Sequence, residues 1–305
     1  MWREKSRIML RTLKDLTLPI AMLIGILFHR TVAPWAFLTP YCLFVMLLLT
    51  FTKMSPGEVR IRPLHGWMLL IQLVGCMLVY GVLRFFDPVV AESALICVLA
   101  PTATSAVVIT GMLGGSIAFL AACILITNLG LVIAAPVIFS LLGTHSQLPF
   151  WEAFFFVFRQ VFLLLILPML CAWFMRRFTP RLHNRLMKLH KLSFYLWAAA
   201  LAILTGKIIV FLIDQEQPSY HTEIFIGVVS LAICIVQFML GRWLGHRYGD
   251  VVSAGQGLGQ KNTILAIWMA QSYLNPVASI GPAMYVIWQN CINSYQLWLK
   301  RKRDT

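Results

Sequence analysis

Three basic side chains stand where an apolar chain can least accommodate them: Arg159, Lys207 and Lys261 each fall well inside a hydrophobic stretch. No Asp or Glu occupies a comparable position, since Glu92 and Glu152 sit at segment ends. A cation in mid-membrane costs on the order of 3 kcal/mol on insertion scales, so each demands a reason. An all-cationic interior suits the recognition of an anion. Arg159 offers a planar fork of donors that matches a carboxylate or sulfate, and a lysine offers a point charge. Lys207, in Leu204-Thr205-Gly206-Lys207-Ile208-Ile209, could instead snorkel outward, and Arg159, among aromatics, could be a structural partner.

Lys261 is the sharpest of the three because of its surroundings, Gly255-Gln256-Gly257-Leu258-Gly259-Gln260-Lys261-Asn262-Thr263-Ile264. Clustered glycines weaken a helix there. A second membrane-length segment is interrupted at Ala100-Pro101-Thr102-Ala103-Thr104-Ser105-Ala106, where proline removes a backbone donor. Lipid-exposed backbone tolerates no such break, because nothing replaces the lost hydrogen bonds. One broken helix in each half of a polytopic chain is a mark of secondary-transporter binding sites. The N-terminus of the half-helix from Asn262 onward would favour an anion, as would the Lys261 charge. The bland reading is a structural lysine bonded to carbonyls freed by the break, and the two roles can coexist.

The elements that must position these residues are read from hydropathy and charge. The chain of 305 residues is 60% hydrophobic and 12% charged, with mean hydropathy +0.81. Ten spans fit, at roughly 15–29, 35–51, 66–86, 92–113, 116–142, 150–175, 192–213, 222–243, 251–273 and 276–298. The run from Leu16 to Phe28 has no small-residue cleavage pattern after it and is taken as the first span, not a signal peptide.

Alternating the spans from a cytoplasmic N-terminus puts Arg3, Lys5, Arg7, Arg11 and Lys14 inside, with Lys53, Arg60 and Arg62. The inside also receives the basic stretch from Arg176 to Lys191, then Arg242 and Arg247, and Lys300 through Arg303. Only Arg30 and Arg84 fall outside, where Asp87, Asp214, Glu216 and Glu223 collect. This bias predicts a multi-pass protein of the cell (inner) membrane with both termini cytoplasmic. The net charge of +14 therefore belongs to membrane topology and not to a nucleic-acid partner. The 176–191 stretch reads as a headgroup-facing loop that splits the chain into halves of five spans. Five is odd, so the second half runs inverted, with the broken segment fourth in each half.

Other chemistries find little footing. No HExxH, GxSxG or paired carboxylates appear, so the chain is not expected to be an enzyme. The seven cysteines show no metal spacing, and His183 with His190 is read as loop, so no metal or cofactor is implied. A channel would need polar faces along several helices, which are absent. Gln72, Asn128, Gln160, Gln237, Gln289, Asn290 and Asn293 lie within spans, and most such residues bond between helices.

Three segments carry a resemblance to a known family. Ala100 through Thr110 is similar to the fourth-span pattern of the bile acid:sodium symporter family, bacterial members included. Gly259-Gln260-Lys261-Asn262-Thr263 resembles that family's ninth-span Gly-Met-Gln-Asn-Ser, and Pro282 through Asn290 its tenth-span Pro…Trp-His-Asn. The resemblance implies an all-α integral membrane protein of ten helices in two inverted five-helix repeats, with broken helices 4 and 9 crossing. It implies one membrane domain with a panel part (about 15–51 and 150–213) and a core part (about 66–142 and 222–298). Pro101, Thr102, Ala103, Thr104, Ser105, Gln260, Lys261, Asn262, Thr263, Asn290 and Gln72 would form the crossing and substrate region. Arg159 and Lys207 would face it from the panel. The substrate would be an organic anion, bile-acid-like or a small carboxylate, carried by alternating access.

The sequence also departs from that family. Its ninth-span sodium-binding Glu becomes Gly257, its Ser-Asn pair becomes Ala106-Val107, and its fifth-span hydroxyls become Leu120 and Ile124. The Gln of the second sodium site becomes Lys261, while Gln72 and Asn290 are retained. Sodium needs several oxygen ligands, and most are gone. The expectation is that the Lys261 ammonium takes the place of a sodium ion, so that transport does not depend on sodium. A sodium-coupled symporter of the same family and a non-transporting anion sensor remain the alternatives, with sodium or a proton as the open choices of coupling ion.

Overall fold

A computed structural model describes residues 17, 19–53, 55–142, 155, 159, 162–189, 192–214 and 220–303. Among them the regular structure is helical throughout, with no strand. Five helical stretches are long and apolar enough to cross a membrane: His29–Phe51, Pro63–Leu83, Ile117–Phe139, Leu192–Phe211 and Tyr220–Tyr248. The chain is therefore read as an all-α, multi-pass membrane protein. The expected basic N-terminal residues, Glu152, Gln160, His190, Lys191 and Glu216 lie outside the described residues.

The helices in chain order are α1 (19–27), α2 (Thr39–Phe51), α3 (Pro63–Leu83), α4 (Pro88–Leu99), α5 (Ala106–Leu113) and α6 (Ile117–Leu141). There follow α7 (Leu167–Phe178), α8 (Pro180–Lys188), α9 (Leu192–Ile213) and α10 (Tyr220–Tyr248). The last are α11 (Val251–Gly259), α12 (Thr263–Tyr273) and α13 (Ile280–Arg303). A π-helical turn, Phe162–Ile166, leads into α7.

Local chemistry sets the ends. Pro63 and Pro88 occupy the first turns of α3 and α4, where a missing N–H costs nothing. Asp87 caps α4 by accepting from Val89 N at 2.8 Å and Val90 N at 3.1 Å. Gly114, at φ +84°, ends α5 in the left-handed region that glycine enters without a steric cost.

Two groups of helices emerge from the packing. Helices α2, α7 and α9 pack together, and α1 joins them where Gly25 meets the backbone of Ala202. Helices α3 to α6 and α10 to α13 pack among themselves, with α10 and α11 forming the tightest pair. Gly241 and Gly245 make that hairpin close: a Cβ at either would strike backbone oxygens of Ala254 or Asp250. The groups touch through α2 with α5 and α9 with α13.

Two expectations need correction. The basic stretch after α7 is no loop; most of it is the amphipathic helix α8, with His183 buried. Its apolar positions give it a face to lay down, so the backbone closes its hydrogen bonds locally. The second break is also shorter than the glycines suggested. Gly255, Gly257 and Gly259 remain helical, and α11 ends only at Gly259. These glycines serve close packing instead: a Cβ on Gly255 would meet the Arg242 side chain and one on Gly259 would enter the Phe238 ring.

Candidate functional site

The two interruptions lie side by side. Between α4 and α5 the chain runs without helix through Pro101, Thr102 and Ala103 and then turns at Thr104 and Ser105; between α11 and α12 the break covers Gln260–Asn262. There they form a one-rung antiparallel bridge between Thr102 and Lys261. Ala103 N donates to Gln260 O at 2.9 Å, and Asn262 N donates to Pro101 O at 2.8 Å. Each unwound segment thus satisfies a backbone group released by the break in the other.

Six further carbonyls at the two half-helix C-termini are met by side chains. Lys261 Nζ donates to Val98 O at 3.0 Å. Gln72 Nε2 donates to Leu99 O and, at 3.0 Å, to Ala100 O. Gln237 Nε2 reaches Cys97 O at 3.4 Å. On the other half-helix, Thr102 Oγ1 donates to Gly257 O at 2.7 Å, and Tyr285 Oη donates to Gly259 O at 2.9 Å. Gln289 Oε1 accepts from the Lys261 backbone N–H at 2.9 Å.

Lys261 is 1% exposed, yet among the described residues no carboxylate pairs with it. The groups within its electrostatic reach are the thiols of Cys76, Cys97, Cys123 and Cys234. Its amine meets the end of α4, where aligned peptide dipoles sum to roughly half a negative charge. Of the two readings of the lysine from sequence, the structural one is seen directly: its amine caps a carbonyl freed by the break in the other segment.

The positions that departed from the resembled family are filled, not open. Ala106, Val107, Leu120 and Ile124 are buried among apolar neighbours. A Cβ on Gly257 would run into Met68 Cε and come within 3.1 Å of Cys123 Sγ. Met68 is fully buried, so the space a carboxylate would need holds a methyl and a thiol.

Beside the crossing lies a cavity of about 920 Å³. One wall is built by the crossing: Ala103, Thr104, Ser105, Lys261, Asn262 and Thr263 line it, with Gln289 and Asn290 from α13. The N-terminal ends of α5 and α12 begin in that wall, and N-termini carry partial positive charge. The opposite wall comes from α2, α9 and the segment leading into α7. It contributes Arg159 and Lys207, both exposed side chains. No acidic residue lines the cavity among the described residues.

The structure thus gathers nearly every residue singled out from sequence. Arg159, Lys207, Lys261 and Asn290 share one cavity; Pro101, Thr102, Gln72 and Gln260 stand behind it. Gln260 is 1% exposed, and its side-chain amide has no hydrogen-bond partner among the described residues. Asn290 spends its amide on Val286 O at 2.7 Å within its own helix. Sequence reasoning missed Tyr285, and it left Gln237 and Gln289 as unassigned interhelical polar residues. Tyr285 and Gln289 lie four apart on α13, a polar pair on one helix face, which was the available signal.

No protein-family model matches the chain, and no curated protein matches it.

Proposed function

We propose that this protein is a secondary active carrier of organic anions that works by alternating access, with Lys261 as a built-in cation in place of sodium. The observation that carries this reading is the cavity between the two helix groups. It holds Arg159 and Lys207 on one wall, two half-helix N-termini on the other, and no carboxylate among the described residues. Such a site favours a ligand of negative charge. Its aromatic lining, including Phe37, Phe44, Trp197, Phe211 and Trp268, suits a ligand with an apolar body.

On this reading the chain crosses the cell (inner) membrane ten times, as two inverted five-helix repeats with cytoplasmic termini. Helices α4/α5 and α11/α12 are the broken fourth and ninth spans. The group of α3 to α6 and α10 to α13 is the core, and the group of α1, α2, α7 and α9 the panel, as the resemblance to the bile acid:sodium symporter family implies. The cavity-lining parts of α2 and α12 then lie toward the external ends, while α9 lines the cavity along most of its length, which on this reading opens the site outward.

Sodium coupling is the weaker alternative, because Gly257 and its neighbours leave no room for the missing ligand. A sensor that binds an anion without moving it would share the same site. A thermal-shift screen of organic anions in sodium and in choline buffers tests the first distinction. Counterflow of the best anion in liposomes tests the second. Stabilisation by anions in choline, with counterflow, supports the carrier. No anion response in either buffer overturns it.

A further inference from the structure

The cavity's positive charge is divided between two walls, and this division bears on the ligand. Resting on the anion-carrier reading, we infer that the ligand is a dianion with its two acidic groups at opposite ends of an apolar body. One group docks at the half-helix N-termini of the crossing, and the other between Arg159 and Lys207.

The second subsite is set by the register of α9. Trp197, Ala200, Leu204, Lys207, Ile208 and Phe211 all line the cavity, at spacings of three and four residues. These spacings define one face of a helix, so Lys207 belongs to the row that looks into the cavity. Arg159 lines the same cavity from the segment before the π turn. These two cations and the crossing belong to different helix groups, which pack mainly within themselves.

A ligand with one acidic group can meet only one of these ends. The other would keep its positive charge with no acidic residue beside it among the described cavity lining, which favours a ligand able to neutralise both ends. The cavity of about 920 Å³ lies near the upper end for small-molecule sites and has room for an extended body between the walls. Lys261 does not supply the second end, because its ammonium is committed to Val98 O.

The test compares dodecanedioate with its monomethyl ester, which differs by a single charge. Binding to the purified full chain is measured calorimetrically in neutral detergent and sodium-free choline buffer. The dianion is expected to bind at least about tenfold tighter, the worth of one charge-assisted pairing. In Arg159→Gln and Lys207→Gln that advantage of the diacid over the ester should shrink. The parent protein alone can overturn the inference: equal affinity for diacid and ester does so without touching the carrier reading. An undiminished advantage in both folded variants also overturns it, and then assigns Lys207 to outward snorkelling. Failure of both ligands to bind sinks the inference together with the anion-carrier reading beneath it.

Discussion

The ammonium of Lys261 lies 3.0 Å from the carbonyl oxygen of Val98, a residue 163 positions earlier. The contact joins the two broken helices by a side-chain hydrogen bond. A freed carbonyl at a half-helix C-terminus is the kind of group that coordinates a transported cation. Here a side chain reaches it first. On the proposed reading, the protein thereby carries, as covalent structure, a positive charge that would otherwise have to be bound from solution.

Replacing that charge should separate its two roles. Lys261→Gln shortens the side chain, removes the charge, and leaves Val98 O without its donor. A buried carbonyl so orphaned costs about 1–3 kcal/mol, which a melting curve in detergent will register. Anion affinity should fall as well, by about tenfold, since the cavity loses a nearby charge. The check is binding measured on the folded fraction alone. Unchanged affinity in that fraction would reduce Lys261 to a structural cap.

Gln72 offers a contrast, because it caps α4 without touching the cavity. Gln72→Leu keeps the volume roughly constant but leaves Leu99 O and Ala100 O unpaired. Two buried acceptors are lost at once, so destabilisation on the order of 3 kcal/mol is expected. Dodecanedioate affinity should stay within about twofold of the parent protein in what remains folded. A variant that melts like the parent would show that the caps on α4 carry no weight.

The filled space at Gly257 can be tested by a double-mutant cycle. Gly257→Ala drives a methyl into Met68 Cε and should lower stability by about 1–3 kcal/mol through overpacking. Met68→Ala opens a cavity and is also destabilising. Combined, the two should recover part of the loss, with a coupling of at least about 1 kcal/mol. Strict additivity would mean that Met68 does not occupy the position.

Much of the crossing was legible in the sequence because its causes are local. Pro101 must end a helix, and a lysine among glycines in a membrane-length segment needs an explanation on the spot. The register of Lys207 with Leu204 and Phe211 is likewise a matter of neighbours. What was not legible depends on long-range partners. Nothing near Val98 reveals that Lys261 will reach it, and nothing near Gly259 points to the Tyr285 hydroxyl. The glycines misplaced the second break for a related reason. Gly257 and Gly259 could have served either an unwound chain or close packing, and only the positions of Met68 and Phe238 decide between these.

The most direct measurement is anion counterflow in proteoliposomes, using the anion with the largest thermal shift, with sodium present on both sides or fully replaced by choline. A built-in cation at the crossing requires the same exchange rate in both, and no stabilisation of the purified protein by sodium alone. Exchange that stops in choline and returns with sodium would contradict the central claim, since the charge at the crossing would then have to be supplied from solution.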